Sequence, residues 1–560
     1  MKRPSLIRIL ALAALFILLA VLVKKFAIPW LTEPAETREA RRLLDQILAV
    51  YPSTARVAKT KDRPPPEDML LTAGRLIRLG GAAVPPLVDL LNDDDPTLVR
   101  LGIEYLSRIG RPAAPELLRL LKEGSPAARA AAAETLGRIR ASDSLDALIA
   151  ALSDPAPTVR VAALFAISQM PDERAVLPAA ALLKDPDADT RLAACSLLRI
   201  AGDERAVNDL TSALSDESPN VREEAAFALG EIADPRAHNR LIVLLGDPNE
   251  NVRYAAAVAL GAMPAREAVG PLTKALEDPY PPVRRAAATT LGKIGDPAAI
   301  PALLKALADV QPAPPFHSSG TVRSEPVAVA AAEALGRLKA QEAVDPLVRL
   351  VRSPHPLIHR AAIVALGRLA NPKAAPILLQ CLDRQPSETI IAAAIALGRI
   401  ADRAAIPEIE KIAGNSNNPT TSLACDYLLY KLGRKDKLTV LLPDPQEPGS
   451  ISVERAALLA HIDDPRAVAA LAGGLTGDES DEVGACIEAL GEIGSEAATT
   501  ELARALARIE SPLMKCAILR AMGKIASPAA LATVKTATED KSFFVRRQAR
   551  RELRIAQEQR

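Results

Sequence analysis

The chain is expected to fold as an all-α solenoid of about 15 two-helix repeats preceded by an N-terminal transmembrane helix, and three observations carry that expectation. The first is a fixed spacing of 31 residues: Arg129, Arg160, Arg191, Arg222, Arg253 and Arg284 fall on it without a slip, as do Asp154, Asp185, Asp216, Asp247, Asp278 and Asp309. A unit of that size cannot bury its own apolar face and becomes stable by stacking on its neighbours. The second is helical periodicity inside the unit. Val221, Ala225, Leu229 and Ile232 share one face, with Arg222, Glu223 and Glu231 off it. The third is an uncharged apolar run, Ile9 to Val23, flanked by basic residues.

Within a unit, Asp234-Pro235 ends the first helix, because proline has no backbone N–H and restrains the residue before it. Leu241, Leu244 and Leu245 then form a second apolar stripe. No run alternates at period 2, so strands are not expected. Gly230 lies inside the first helix, where glycine costs about 1 kcal/mol relative to alanine. Gly137, Gly261, Gly292, Gly336, Gly367, Gly398 and Gly491 recur in phase with it. A missing Cβ at a fixed phase implies close approach of the neighbouring helix in one helix row.

The motif L-x-D-x4-V-R-x2-A-A-x-A-L-G-x-I is complete from Leu214 to Ile232 and recurs in part at Asp247, Val252-Arg253 and Ala259-Leu260-Gly261. It resembles the HEAT repeat, especially the bacterial phycobilin-lyase-type variant, over roughly residues 68 to 556. The resemblance implies an aspartate–arginine ladder between successive repeats and a concave face lined by the helix that carries the arginine. Carried over by position, Asp154 with Arg160, Asp185 with Arg191, Asp216 with Arg222, Asp247 with Arg253 and Asp278 with Arg284 form that ladder. About activity the resemblance says little, since function lives in sites and not in folds.

Taken in order, residues 1–31 are expected to be a single-pass membrane anchor: Leu6 to Leu31 supplies the length and Trp30 an interfacial aromatic. A cleaved signal peptide is the alternative, but Val21-Leu22-Val23 before two lysines is a poor cleavage site. The short basic tail at the N-terminus favours a solenoid lying outside the cytoplasm. Residues 32–67 hold an amphipathic helix (Ala40, Leu43, Leu44, Ile47, Leu48, Tyr51), expected to cap the solenoid, and a stiff Asp62-Arg63-Pro64-Pro65-Pro66 linker. Repeats fill 68–560. Between Gly292 and Gly336 the phase slips by 13 residues through a Pro/Ser/Gly insertion, 311–326, in which Phe316, His317 and Arg323 are candidate partner-binding residues. Beyond it, His359, Ile390, Thr421 and Ser452 replace the ladder arginine, so the second half keeps the packing and loses the ladder. A basic segment, 544–560, is expected to be a terminal cap with its charged face in water.

The 560 residues are 49% hydrophobic and carry a formal charge of +1, with only 2% aromatics. That balance disfavours nucleic-acid binding, which needs a basic stripe and, for single strands, stacking aromatics. Five cysteines (Cys195, Cys381, Cys425, Cys486, Cys516) lie 30 or more residues apart, as core substitutes with neither a disulfide framework nor a thiolate metal site indicated. His355 and His359 straddle a helix start and make a poor metal pair. One enzymatic branch of the HEAT family, similar to deoxyhypusine hydroxylase, holds iron through His-Glu dipeptides; this sequence has none. No phosphate-loop or nucleophile-elbow motif is present, and no cofactor or small-molecule substrate is indicated. The expectation is therefore a membrane-anchored scaffold that is not an enzyme and holds protein partners on its concave face. The alternative is an enzyme of the phycobilin-lyase or hydroxylase kind with a ligand in that groove.

Overall fold

A computed structural model describes residues 34–50, 67–311, 325–383, 385–443, 451–476 and 481–558. Every regular element among them is helical. Compactness divides the chain between Leu197 and Leu198 into two units.

The repeat starting at Asp203 shows how the sequence builds one layer. The Asp203 side chain accepts the Arg205 N–H at 2.9 Å and opens a single 3₁₀ turn, Glu204–Ala206, that runs into the short helix Val207–Ala213. After a turn, Pro219 begins the long helix Pro219–Ile232, a position where its missing N–H costs nothing. That helix stops at Ala233, in the left-handed region (φ 58°), and Asp234 caps the next 3₁₀ turn through the Arg236 N–H at 2.9 Å. The Asp-Pro pair thus ends one helix and starts the next. Val221, Ala225, Leu229 and Ile232 are all at or below 1% exposure, as the stripe predicted.

Long helices stack on long helices: in the second unit Pro219–Ile232 packs on Glu250–Leu260, that on Pro281–Ile294, and onward through Val327–Arg337, Pro356–Leu369, Ser387–Ile400 and Pro419–Lys431. The glycine seam is where they meet. A Cβ on Gly230 would stand 2.9 Å from Ala259 Cα, and one on Gly367 2.7 Å from Ala396 Cα. Both are closer than real side chains approach, so the glycine offsets its helix-propensity cost by admitting the neighbour's backbone.

In the first unit, helix Ala35–Val50 packs on Glu67–Arg78 and Val84–Asp89, with Ala40, Leu43, Leu44 and Ile47 buried and Arg41 and Arg75 paired to Asp89 and Glu39 at its rim. It covers the first repeat, as expected of a cap.

The membrane expectation is corrected. No helix among the described residues is long and apolar enough to cross a membrane, so a single-pass membrane protein, and with it a solenoid held outside the cytoplasm, is not supported. The physical reason is that the described helices are apolar on their packing faces and polar elsewhere. Residues 6–31, which carried the assignment, and the linker 62–66 lie outside the described residues.

Candidate protein-binding face

The Asp–Arg ladder is present, with its partners offset from the simplest pairing. Arg222 places Nη1 on the backbone carbonyl of Asp216 in its own turn at 2.9 Å and sends Nε and Nη2 to the Asp247 carboxylate of the next turn, both at 2.9 Å. Arg253 does the same with the Asp247 carbonyl and the Asp278 carboxylate, and Arg284 with the Asp278 carbonyl and Asp309. In the first unit Arg129 pairs with Asp154, and Arg160 bonds the Asp154 carbonyl and pairs with Asp185, both ion pairs at 2.7 Å. Asp154 with Arg160, Asp247 with Arg253 and Asp278 with Arg284 therefore meet through the aspartate's backbone oxygen, while the ion pair reaches one repeat on. Arg191 likewise holds the carbonyls of Asp185 and Pro186.

Asp154, Asp185, Asp216, Asp247 and Asp278 each also accept an amide two residues along, as Asp247 does from Asn249 and Asp216 from Ser218 at 2.9 Å. Burial pushes the Asp154 carboxyl up, but the Arg129 bond, the Ala156 amide and the charges of Arg129 and Arg160 outweigh it and the pKa is lowered. Bidentate at Arg129, Arg222 and Arg253 and largely shielded, these pairs are structural joints between repeats.

Past the insertion the register changes chemistry. Thr421 gives its hydroxyl to the Leu382 carbonyl at 2.9 Å, and the His359 Nδ1 bonds the Val351 carbonyl. The ladder then returns, which the sequence reading missed: Lys515 pairs with Asp540 at 2.9 Å, 25 residues on, and Arg546 holds the Asp540 carbonyl at 2.9 Å. A lysine in the arginine's place hid it.

The residue after the seam glycine lies about 100° further round the long helix, and these residues form one row along the stacked helices. Three features mark the surroundings of this row in the second unit. A groove of about 480 Å³ is lined by Glu231, Ala262 and Lys293 from the row, with Phe227, Val258 and Arg551. His461, a row member, has its pKa lowered to about 4 by burial and by Arg399, with Glu492, Lys431 and Lys524 also acting on it. Arg368 feels the charge of Glu492, four repeats later along the same row.

The C-terminal helix Phe543–Glu558 also enters this face. Arg547 and Arg551 both donate to Glu231, at 3.0 and 3.2 Å across more than 300 residues of sequence. Burial lowers the Arg547 pKa despite Glu231. The basic segment is therefore docked at its arginines and not simply a face presented to water. No signal in one repeat could have shown this, because Glu231 and the two arginines lie more than 300 residues apart and meet only once the layers between them are stacked.

Phe316, His317 and Arg323 lie outside the described residues. Cys195, Cys381, Cys425 and Cys486 are buried, and burial raises the Cys425 and Cys486 thiols to about 12 and 11. Among the described residues, no group of three His, Cys, Asp or Glu side chains is placed to hold a metal ion.

Among solved structures, the chain is similar to the complex of CpcE and CpcF of phycocyanin lyase from Nostoc sp. PCC7120, with 26% identity over 42% of this chain and 91% of that one and a TM-score of 0.29. It is also similar to an engineered protein at 20% identity, covering 62% and 98% of the two chains at a TM-score of 0.38. A third similarity is to Kap95p bound to RanGDP, at 12% identity with 92% of each chain covered and a TM-score of 0.45. No curated protein matches this sequence. The family model described as HEAT repeats matches residues 114–178, 176–245, 238–313, 322–396 and 484–554, more than half of the chain. With its paired helices, glycine seams and turn ladder, the chain belongs to the HEAT-repeat family.

Proposed function

We propose that this protein is a binding scaffold that holds a protein partner against the row that follows the seam glycines of its second unit, and that it acts by binding and not by catalysis. The observation that carries this reading is the groove beside Glu231 and Lys293, where Phe227, Tyr254 and Val258 stand among charged side chains on a face kept rigid by the ladder and the seam. Val258 remains 38% exposed there, and Tyr254 meets Phe227 edge-on with ring centroids 6.1 Å apart. Aromatic and aliphatic anchors rimmed by charge are the composition of a protein-binding surface.

The test is co-purification of the full chain with its partner from the native source. Val258→Glu with Tyr254→Ala should abolish a stoichiometric complex, whereas Val243→Glu, on a short helix and 66% exposed, should leave it intact. Equal loss from both substitutions would defeat the proposal. So would iron or a bilin absorption band in the purified protein, which would establish a catalytic or chromophore-handling role.

A further inference from the structure

Three successive repeats carry arginine immediately after the seam glycine: Gly336-Arg337, Gly367-Arg368 and Gly398-Arg399. The same phase in the first unit is Arg138, which donates twice to Glu134 on its own helix. None of Arg337, Arg368 and Arg399 makes a hydrogen bond or ion pair among the described residues. Arg368 is the most constrained. Its Cδ lies 3.4 Å from where a Gly336 Cβ would stand, and its Nη1 is shielded from water with no acceptor. A guanidinium carries five donors, and leaving a shielded one unmade is costly, so a missing acceptor is the economical explanation. Burial, with Arg337 and Arg399 alongside, lowers the Arg368 pKa, and Glu333 and Glu492 offset this only by charge at a distance.

The adjacent part of the row shows the chemistry such an occupant takes. At Glu231, an acidic position of the row, a helix of this chain supplies two arginines to the carboxylate and leaves the groove beside it open. At Arg337–Arg399 the sign is reversed. Successive helix pairs lie ~10 Å apart, and a chain extended as polyproline II advances ~3.1 Å per residue with about three residues per turn, so every third side chain returns to one face at nearly the spacing of neighbouring arginines. We propose that Arg337, Arg368 and Arg399 form a binding stripe for an extended acidic polypeptide segment whose carboxylates recur at every third residue. Each guanidinium takes one carboxylate, and the Arg368 Nη1 gains its acceptor. This inference rests on the scaffold reading above and names the partner's chemistry.

The experiment is fluorescence anisotropy on the full chain with three labelled synthetic peptides: three glutamates spaced three apart, three consecutive glutamates, and three lysines spaced three apart, with inorganic pyrophosphate as competitor. The spaced acidic peptide should bind tightest. The R337Q/R368Q/R399Q variant should weaken it at least tenfold and flatten its salt dependence, while R138Q changes nothing. Unchanged binding by the triple variant overturns the proposal, as does no preference between the two acidic peptides with full displacement by pyrophosphate, the behaviour of a small-anion site. A triple variant that still co-purifies with the native partner sinks this inference and leaves the scaffold standing; a wild-type chain with no partner sinks the scaffold.

Discussion

The repeats from Arg222 to Asp309 and those from Val327 to Lys431 belong to one continuous helix row, yet they join their layers differently. In the first set each turn is tied to the next by an Arg–Asp ion pair. In the second, Thr421 and His359 only bond a carbonyl. The seam is equally tight in both: the Cβ positions of Gly230 and Gly336 each fall 2.9 Å from the facing alanine Cα, and those of Gly292 and Gly367 each 2.7 Å. Backbone-close packing therefore builds the solenoid, and the ladder is a separable addition that stiffens some joints. Where the ladder stops, arginines follow the seam glycines instead, so the same residue type passes from holding repeats together to standing without an ion pair among the described residues.

If the seam is the common foundation, Gly367→Val should cost about 3 kcal/mol in chemical denaturation, because the new side chain meets Ala396 backbone in a close-packed site. Gly230→Val should cost a similar amount. A loss at Gly230 but not at Gly367 would show the two sets to be built on different principles. The ladder effect should be smaller: Arg253→Ala strands the shielded Asp278 carboxylate and should destabilise by about 2 kcal/mol, against about 1 kcal/mol for Thr421→Val, measured by the same unfolding curves. Equal costs would erase the distinction between laddered and plain joints.

The smallest effect concerns pH. His461 has a folded-state pKa lowered from 6.5 to about 4, so the unfolded chain binds the proton more readily. Its contribution to stability is present above pH 6.5 and is lost as pH falls towards 4. Thermal melts of His461→Gln should show a shallower decline over that interval than the wild type, and an identical decline would remove His461 from the account.

Much of this architecture is legible in single repeats. The 31-residue phase, the apolar face through Val221 and Ile232, and the glycine inside the helix each follow from contacts repeated in every layer, so they leave a periodic trace. The offset of the ladder was less visible, because Asp216 and Asp247 are equally consistent with Arg222 until three dimensions show one supplying a carbonyl and the other a carboxylate. Lys515–Asp540 escaped because the chemistry was kept while the residue type changed. The apolar stretch near the N-terminus illustrates the opposite error, in which a hydrophobic run supported a membrane span that no described helix provides.

By itself, the sequence determined that this protein is a stack of helix pairs, because period, stripe and seam are local properties that repeat. Only the tertiary structure decided what the stack encloses. Glu231 meets Arg547 and Arg551, and Arg337, Arg368 and Arg399 make no hydrogen bond or ion pair among the described residues, since stacking the layers brings together side chains that no local pattern links.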